Sequence, residues 1–203
     1  MLELQKPYRT YNLAKFKSAS TNELSEEYAV LKKRLISGEL DPDSFRKILI
    51  QADQNTNDRA ASEDNYLLLK DPEIKIYLTN SEFEDGYYIL LSFTAFHCAQ
   101  RIAIKGEDLD LAKKLFVEAL SLKQKVSFYS EEDLAYLKAT IAYLSGSVES
   151  VERLKLKINP DGPMKVNIGV LDRLIDGLRK YSKPNYRRDY FGIQENIDAT
   201  LTN

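Results

Sequence analysis

The 203-residue chain has one cysteine, Cys98, and one histidine, His97. A single thiol cannot form an intramolecular disulfide and suits a reducing compartment. Glycine (8) and proline (6) are scarce, and an all-β fold of this size needs more of both for its turns. Neither sign of charge dominates. The 29 basic and 31 acidic side chains leave a net −2, so nothing global draws the chain to nucleic acid or to an anionic membrane. Long apolar runs are missing too. The longest weakly polar stretch, Tyr87 to Ala99, is too short to span a bilayer and runs into Gln100 and Arg101. The opening Met1-Leu2-Glu3-Leu4-Gln5-Lys6-Pro7 holds no apolar signal core, and the expected location is cytoplasmic. Zinc-ligand spacing, a phosphate-binding glycine loop and a dinucleotide fingerprint are all absent, so neither a metal nor a cofactor is expected.

What is present favours helices. Hydrophobic residues make up 43% of the chain, enough for one sizeable core or two small ones. Leu24, Tyr28, Leu31 and Leu35 recur at helical spacing, with Ala29 and Ile36 beside them, Thr21 or Asn22 as cap and Gly38 as stop. Asp41-Pro42 opens a second helix with Phe45, Ile48, Leu49 and Ala52 inward. Gln51 to Glu63 is the most polar segment and reads as a loop or a frayed helix start. Asp71-Pro72 predicts a short helix over 73–79, although Ile74, Ile76 and Leu78 alternate as a strand would. Tyr87 to Lys105 reads as a largely buried helix ended by Gly106. The next starts at Asp108 or Asp110, with Leu111, Ala112, Leu115, Phe116, Ala119 and Leu122 on its apolar face. Ser130 and Asp133 form a capping box for a helix carrying Leu134, Leu137, Ile141 and Leu144. Helices over 148–158 and 166–181 follow, separated by Asn159-Pro160-Asp161-Gly162-Pro163. The expected organisation is an N-terminal basic and aromatic segment over 1–20, one all-helical domain over 21–191 with a candidate break near 51–63, and a flexible tail over 192–203.

Few constellations could carry chemistry. Asp53-Gln54-Asn55-Thr56-Asn57-Asp58 offers alternate oxygens as a calcium loop does. It fails at Asp58, where glycine should turn the loop, at Ala60, and at Asp64, a short stand-in for the closing glutamate. His97 and Cys98 are adjacent, so on a helix their side chains diverge by about 100° and cannot pair. A packed, hydrogen-bonded histidine is the expectation, and catalysis would need His97 in an open pocket beside an acidic residue. The pairs Glu26-Glu27, Glu63-Asp64 and Glu131-Glu132 sit near helix starts, where the dipole accounts for them. Most distinctive is the run Arg179, Lys180, Tyr181, Lys183, Tyr186, Arg187, Arg188, Tyr190 and Phe191, echoed by Lys6, Tyr8, Arg9, Tyr11, Lys15, Phe16 and Lys17. Cations on phosphates and rings on bases make RNA or single-stranded DNA an alternative ligand, with Arg179, Lys183, Tyr186, Arg187, Arg188 and Tyr190 as its contacts.

Helix-ending turns at Gly38, Asp71-Pro72, Gly106 and Gly146 fall roughly 33 to 40 residues apart, a period of stacked helical hairpins. Ala99, Ile102 and Gly106, then Ala112, Phe116, Ala119 and Leu120, reproduce a small, aromatic, small, apolar order. In that order Ala95 to Gln124 resembles a tetratricopeptide repeat. It departs in a turn one residue longer than usual, in Gln124 where proline is common, and in Lys155 at the next aromatic slot. The resemblance implies antiparallel hairpins in a right-handed array that binds peptides. The other all-α architecture is an irregular helical bundle. The resulting expectation is a non-enzymatic scaffold for another protein or a peptide, or for a second copy of the chain. Tyr88, Phe96, Arg101, Lys105 and Tyr136 would line its groove.

Overall fold

The computed structural model describes residues 26–54, 61–80, 82–106 and 108–192. The expected cap at Thr21 or Asn22, Leu24, the basic aromatic segment within 1–20 and the tail beyond Gly192 lie outside the described residues. The fold is all-α. Among the described residues ten helices run in the order α1 (Glu26–Ile36), α2 (Pro42–Gln54), α3 (Ala61–Lys70), α4 (Pro72–Thr79), α5 (Glu84–Lys105), α6 (Leu109–Lys123), α7 (Glu131–Leu144), α8 (Val148–Lys155), α9 (Val166–Tyr181) and α10 (Tyr186–Phe191), with one 3₁₀ turn at Pro163–Lys165. No strand occurs among the described residues, and none of their helices is long and apolar enough to cross a membrane. The chain divides into two units, Met1–Cys98 and Ala99–Asn203, and the division falls inside α5.

In the first unit α1 packs on α2, α3 and α4, and α3 packs on α2 and α4. Tyr28, Leu31 and Leu35 fill the inward face of α1, while the flanking Ala29 and Ile36 face outward. Asp41 caps α2 by accepting the Ser44 amide at 2.9 Å. Asp71 caps α4 by accepting the Glu73 and Ile74 amides. The strand alternative for 74–78 fails because Pro72 and the Asp71 cap set a helix. Ile74 and Leu78, four residues apart, then share the buried face and Ile76 turns to solvent.

The expected loop over 51–63 is corrected on both flanks. Helix α2 continues through Gln54, and α3 is already helical at Ala61. Every residue from Ser62 to Leu69 is buried. Polar composition did not mean solvation for its described flanks, because Asp53, Ser62 and the neighbouring Asn65 find hydrogen-bond partners inside. Asn65 accepts the Tyr28 hydroxyl at 2.8 Å and donates to the Leu49 carbonyl at 2.8 Å. Buried amides are tolerated when satisfied in this way.

In the second unit α7 packs on α6, α8 and α9, and α9 holds α8 and α10. The Ser130–Asp133 capping box is fully formed. The inward face of α7 is Ala135, Tyr136, Leu137, Ala139, Thr140 and Tyr143, whereas Leu134, Ile141 and Leu144 are only half-buried. The leucine stripe misjudged this face because small residues let neighbouring helices approach and the tyrosines fill the space between them. Gly146 ends α7 with a φ of +76°, a left-handed turn in which the Ser147 amide reaches the Ala142 carbonyl at 3.1 Å. Helix α8 stops at Lys155, earlier than expected, although Ile158 still reaches the core. Helix α9 ends on Ser182, in the left-handed region at φ +57°, before Pro184 is reached.

Candidate binding sites

The aromatic core of the second unit sets the geometry of its C-terminal end. Tyr186 of α10 is 1% exposed. Its ring meets Phe116 of α6 at 6.2 Å, Tyr143 of α7 at 6.0 Å, and its own neighbour Tyr190 in a stacked pair at 5.3 Å. Burial raises the hydroxyls of Tyr136, Tyr143 and Tyr186 well above the ordinary tyrosine range. For Tyr143, the Asp189 carboxylate that accepts its hydroxyl at 2.5 Å adds to this. Asp189 is itself buried. It also takes the Arg188 guanidinium at 2.5 and 3.0 Å and lies directly on Gly177 of α9, where any Cβ would overlap its carboxyl group. The Arg188 guanidinium sits 3.7 Å from the centre of the Tyr181 ring.

This seam leaves an open cleft between α9 and α10. Its volume is about 320 Å³, and Arg173, Asp176, Lys180, Tyr181, Arg188 and Gly192 are among its lining. Arg173 is held at the wall by donating its Nε to the Tyr190 carbonyl at 2.9 Å. Of the six residues expected to contact nucleic acid, Arg179, Lys183 and Arg187 are exposed, and Arg188 and Tyr190 are half-buried. Tyr186 is inside the core, so its ring is not offered to a base. Arg179 is also paired with Glu152 of α8. The sequence reading missed Arg173, since it lies outside the basic run and comes to the cleft only because α10 folds back on α9.

Of the five expected groove residues, Tyr88, Phe96, Arg101 and Lys105 lie on α5. Lys105 is exposed and the other three are half-buried. Tyr136 is not a groove wall. It is 6% exposed, with its hydroxyl bonded to Tyr186 and Thr140.

A different recess opens in the first unit, between α1 and α4. It measures about 440 Å³ and is lined by Ala29, Lys32, Lys33, Ile36, Ser37 and Glu73. Val30 (46% exposed), Ile36 (40%) and Ile76 (59%) are large apolar residues on these two helices. Lys32 bridges the rim, reaching Asp71 at 2.8 Å and Glu73 at 2.6 Å. Burial pulls its ammonium down, but these two carboxylates more than reverse that and hold it above the usual lysine range. The signal for this surface was in the sequence. Ile36 lies off the Tyr28–Leu31–Leu35 stripe, and Ile76 is the odd member of an alternation that a helix cannot bury on one face.

His97 and Asp53, which the sequence treats as unrelated, meet. His97 Nδ1 hydrogen-bonds Asp53 Oδ2, and Ser62 Oγ donates to Asp53 Oδ1. The carboxylate is fully enclosed and the imidazole is 28% exposed. The order is imidazole, carboxylate, hydroxyl. Nucleophilic catalysis needs the hydroxyl on the imidazole, and here Ser62 serves the carboxylate instead. Asp53 therefore faces inward rather than into a calcium loop. The rest of that loop pattern, over 55–60, lies outside the described residues. No group of three or more metal-ligating side chains occurs among the described residues. Comparison with protein-family models, with curated proteins and with solved structures found no match to this chain.

Proposed function

We propose that the chain is a non-enzymatic helical scaffold that binds another protein, taking an amphipathic helix of that partner into the recess between α1 and α4. The observation that carries this reading is the recess lined by Ala29, Ile36, Lys32, Lys33 and Glu73, with Val30 and Ile76 exposed on the same two helices. An apolar centre with a polar edge is the anatomy of a protein interface, and a helix laid in a groove anchors through a few apolar side chains. The tetratricopeptide-like order of Ala95 to Gln124 belongs to the same proposal, as does a cytoplasmic setting for a chain whose one cysteine, Cys98, is buried.

The test is a photo-crosslinking residue at position 76 in the full-length chain, expressed in its native cell. A discrete protein adduct is expected, and Ile36→Asp should abolish it while leaving thermal unfolding unchanged. An adduct of twice the chain's own mass would identify the partner as a second copy. Absence of any protein adduct, or an adduct indifferent to Ile36→Asp, would overturn the reading.

A further inference from the structure

We propose that the cleft between α9 and α10 is a second, independent binding site, and that its ligand is an acidic segment of a partner protein. The first ground is charge. Between Arg173 and Phe191 the sequence holds six cationic and two acidic side chains, in a chain whose net charge is −2. Of the two acids, Asp189 is buried and occupied by Arg188 and Tyr143. With Asp189 and Arg188 compensating each other, Asp176 is the one exposed carboxylate of the lining, against Arg173 and Lys180. Lys183 and Arg187 are exposed beside it, and the Arg188 guanidinium touches the Lys183 carbonyl at 3.4 Å.

The second ground is that the cations are already placed. Arg173 is tied to the Tyr190 carbonyl through its Nε, and Arg188, spent on Asp189, fixes the wall beside it by stacking on Tyr181. A guanidinium fixed in advance loses less side-chain freedom when a carboxylate arrives, and its fork matches the two carboxylate oxygens. Arg173 and Lys180 face the ligand, and Lys183 and Arg187 extend the positive field along it.

The rings decide between an acidic peptide and a nucleic acid. Sequence-tolerant binding of single strands relies on open aromatic faces on which bases stack. Tyr186 is in the core, Tyr190 is stacked on it, and Tyr181 is covered by Arg188, with the Lys180 ammonium 4.8 Å from its centre. Only Phe191, 54% exposed, remains outward among the large apolar side chains of α10. One outward ring, Phe191, set edge-on against Tyr190 beside a set of cations, suits a carboxylate-rich peptide with a single apolar residue better than a run of bases.

The experiment uses the full chain and two fluorescein-labelled probes of equal length, a Glu- and Asp-rich peptide containing one leucine, and an oligouridylate. Fluorescence anisotropy is followed from low to moderate salt. The peptide should bind more tightly than the oligouridylate. Arg173→Gln should weaken it about tenfold, as should the double change Lys183→Ala with Arg187→Ala, whose exposed side chains leave the fold untouched. Lys113→Ala with Lys114→Ala on α6, and Ile36→Asp in the other unit, should leave peptide affinity unchanged. Three results would each overturn the proposal: no peptide binding at low salt, equal weakening by the α6 lysine changes, or tighter binding of the oligouridylate.

Discussion

Single contacts decide how two segments of this chain are held. Gly177 presents a bare backbone to Asp189, and the carboxyl group fills the space a side chain would take. Gly177→Ala is expected to lift α10 from α9 and to cost about 2 kcal/mol or more, as overpacking in a close contact does. Urea denaturation would measure it, and a fall in near-ultraviolet circular dichroism from Tyr186 and Tyr190 would show that α10 is the part released. The Asp53 carboxylate likewise depends on Ser62 and His97. His97→Ala strips a partner from an enclosed charge and should cost about 2 kcal/mol, whereas His97→Gln, which can still donate, should recover part of that. Neither contact can be read from the sequence. Asp53 and His97 lie far apart in the chain, and periodicity says which face is apolar but not which polar atoms meet across helices. What the sequence did hold was the unusual density of polar groups from Gln51 to Glu63. At Asp53, Ser62 and Glu63 that density is buried, because composition alone cannot tell a buried polar group from a hydrated one.

Helix boundaries follow from local rules, and here the sequence was informative. Asp41-Pro42, Asp71-Pro72, Asp108 and the Ser130–Asp133 box all sit where capping chemistry puts them. Asp71 does more than cap, because its second oxygen also holds Lys32 of α1. Asp71→Ala should therefore cost more than Ser130→Ala, about 2 against about 1 kcal/mol, in thermal or urea unfolding. Equal losses would mean that the Lys32 contact adds nothing. Burial within an element was less legible than its ends. On α7 only Leu137 of the expected stripe lies inward, since alanine and tyrosine together fill a tight interface as well as leucine does. On α10 the aromatic run that suggested an exposed stacking surface is split: Tyr186 is in the core with Tyr190 stacked on it, and Phe191 faces outward.

For the molecule as a whole, alkaline pH should separate two opposing effects. Burial pushes the Lys123 ammonium down to about 8, partly offset by Asp133, and its nitrogen lies 3.6 Å from the centre of the Tyr129 ring. The unfolded chain binds that proton up to about 10.5, so it holds more protons than the folded chain between about 8 and 10.5, and stability rises with pH there. Tyr136, Tyr143 and Tyr186 act in the opposite sense. Their folded values lie above the unfolded 10, so the stability they lend is complete below pH 10 and drains away as pH climbs further. Urea midpoints should rise above pH 8, then fall beyond pH 10. Lys123→Met should flatten the rise and Tyr143→Phe should soften the fall. Tyrosinate absorbance should show that some of the 13 tyrosines ionise only on unfolding.

A last consequence comes from Asp53, Ser62 and His97, which stand on α2, α3 and α5. An intermediate with α2 and α3 docked but α5 detached would strand a charge in a greasy interior, and one lacking α3 would lose the hydroxyl. Half-assembled forms are thus disfavoured, and the three helices should open and close as one cooperative block. Hydrogen exchange would report this as a shared protection energy for their central amides.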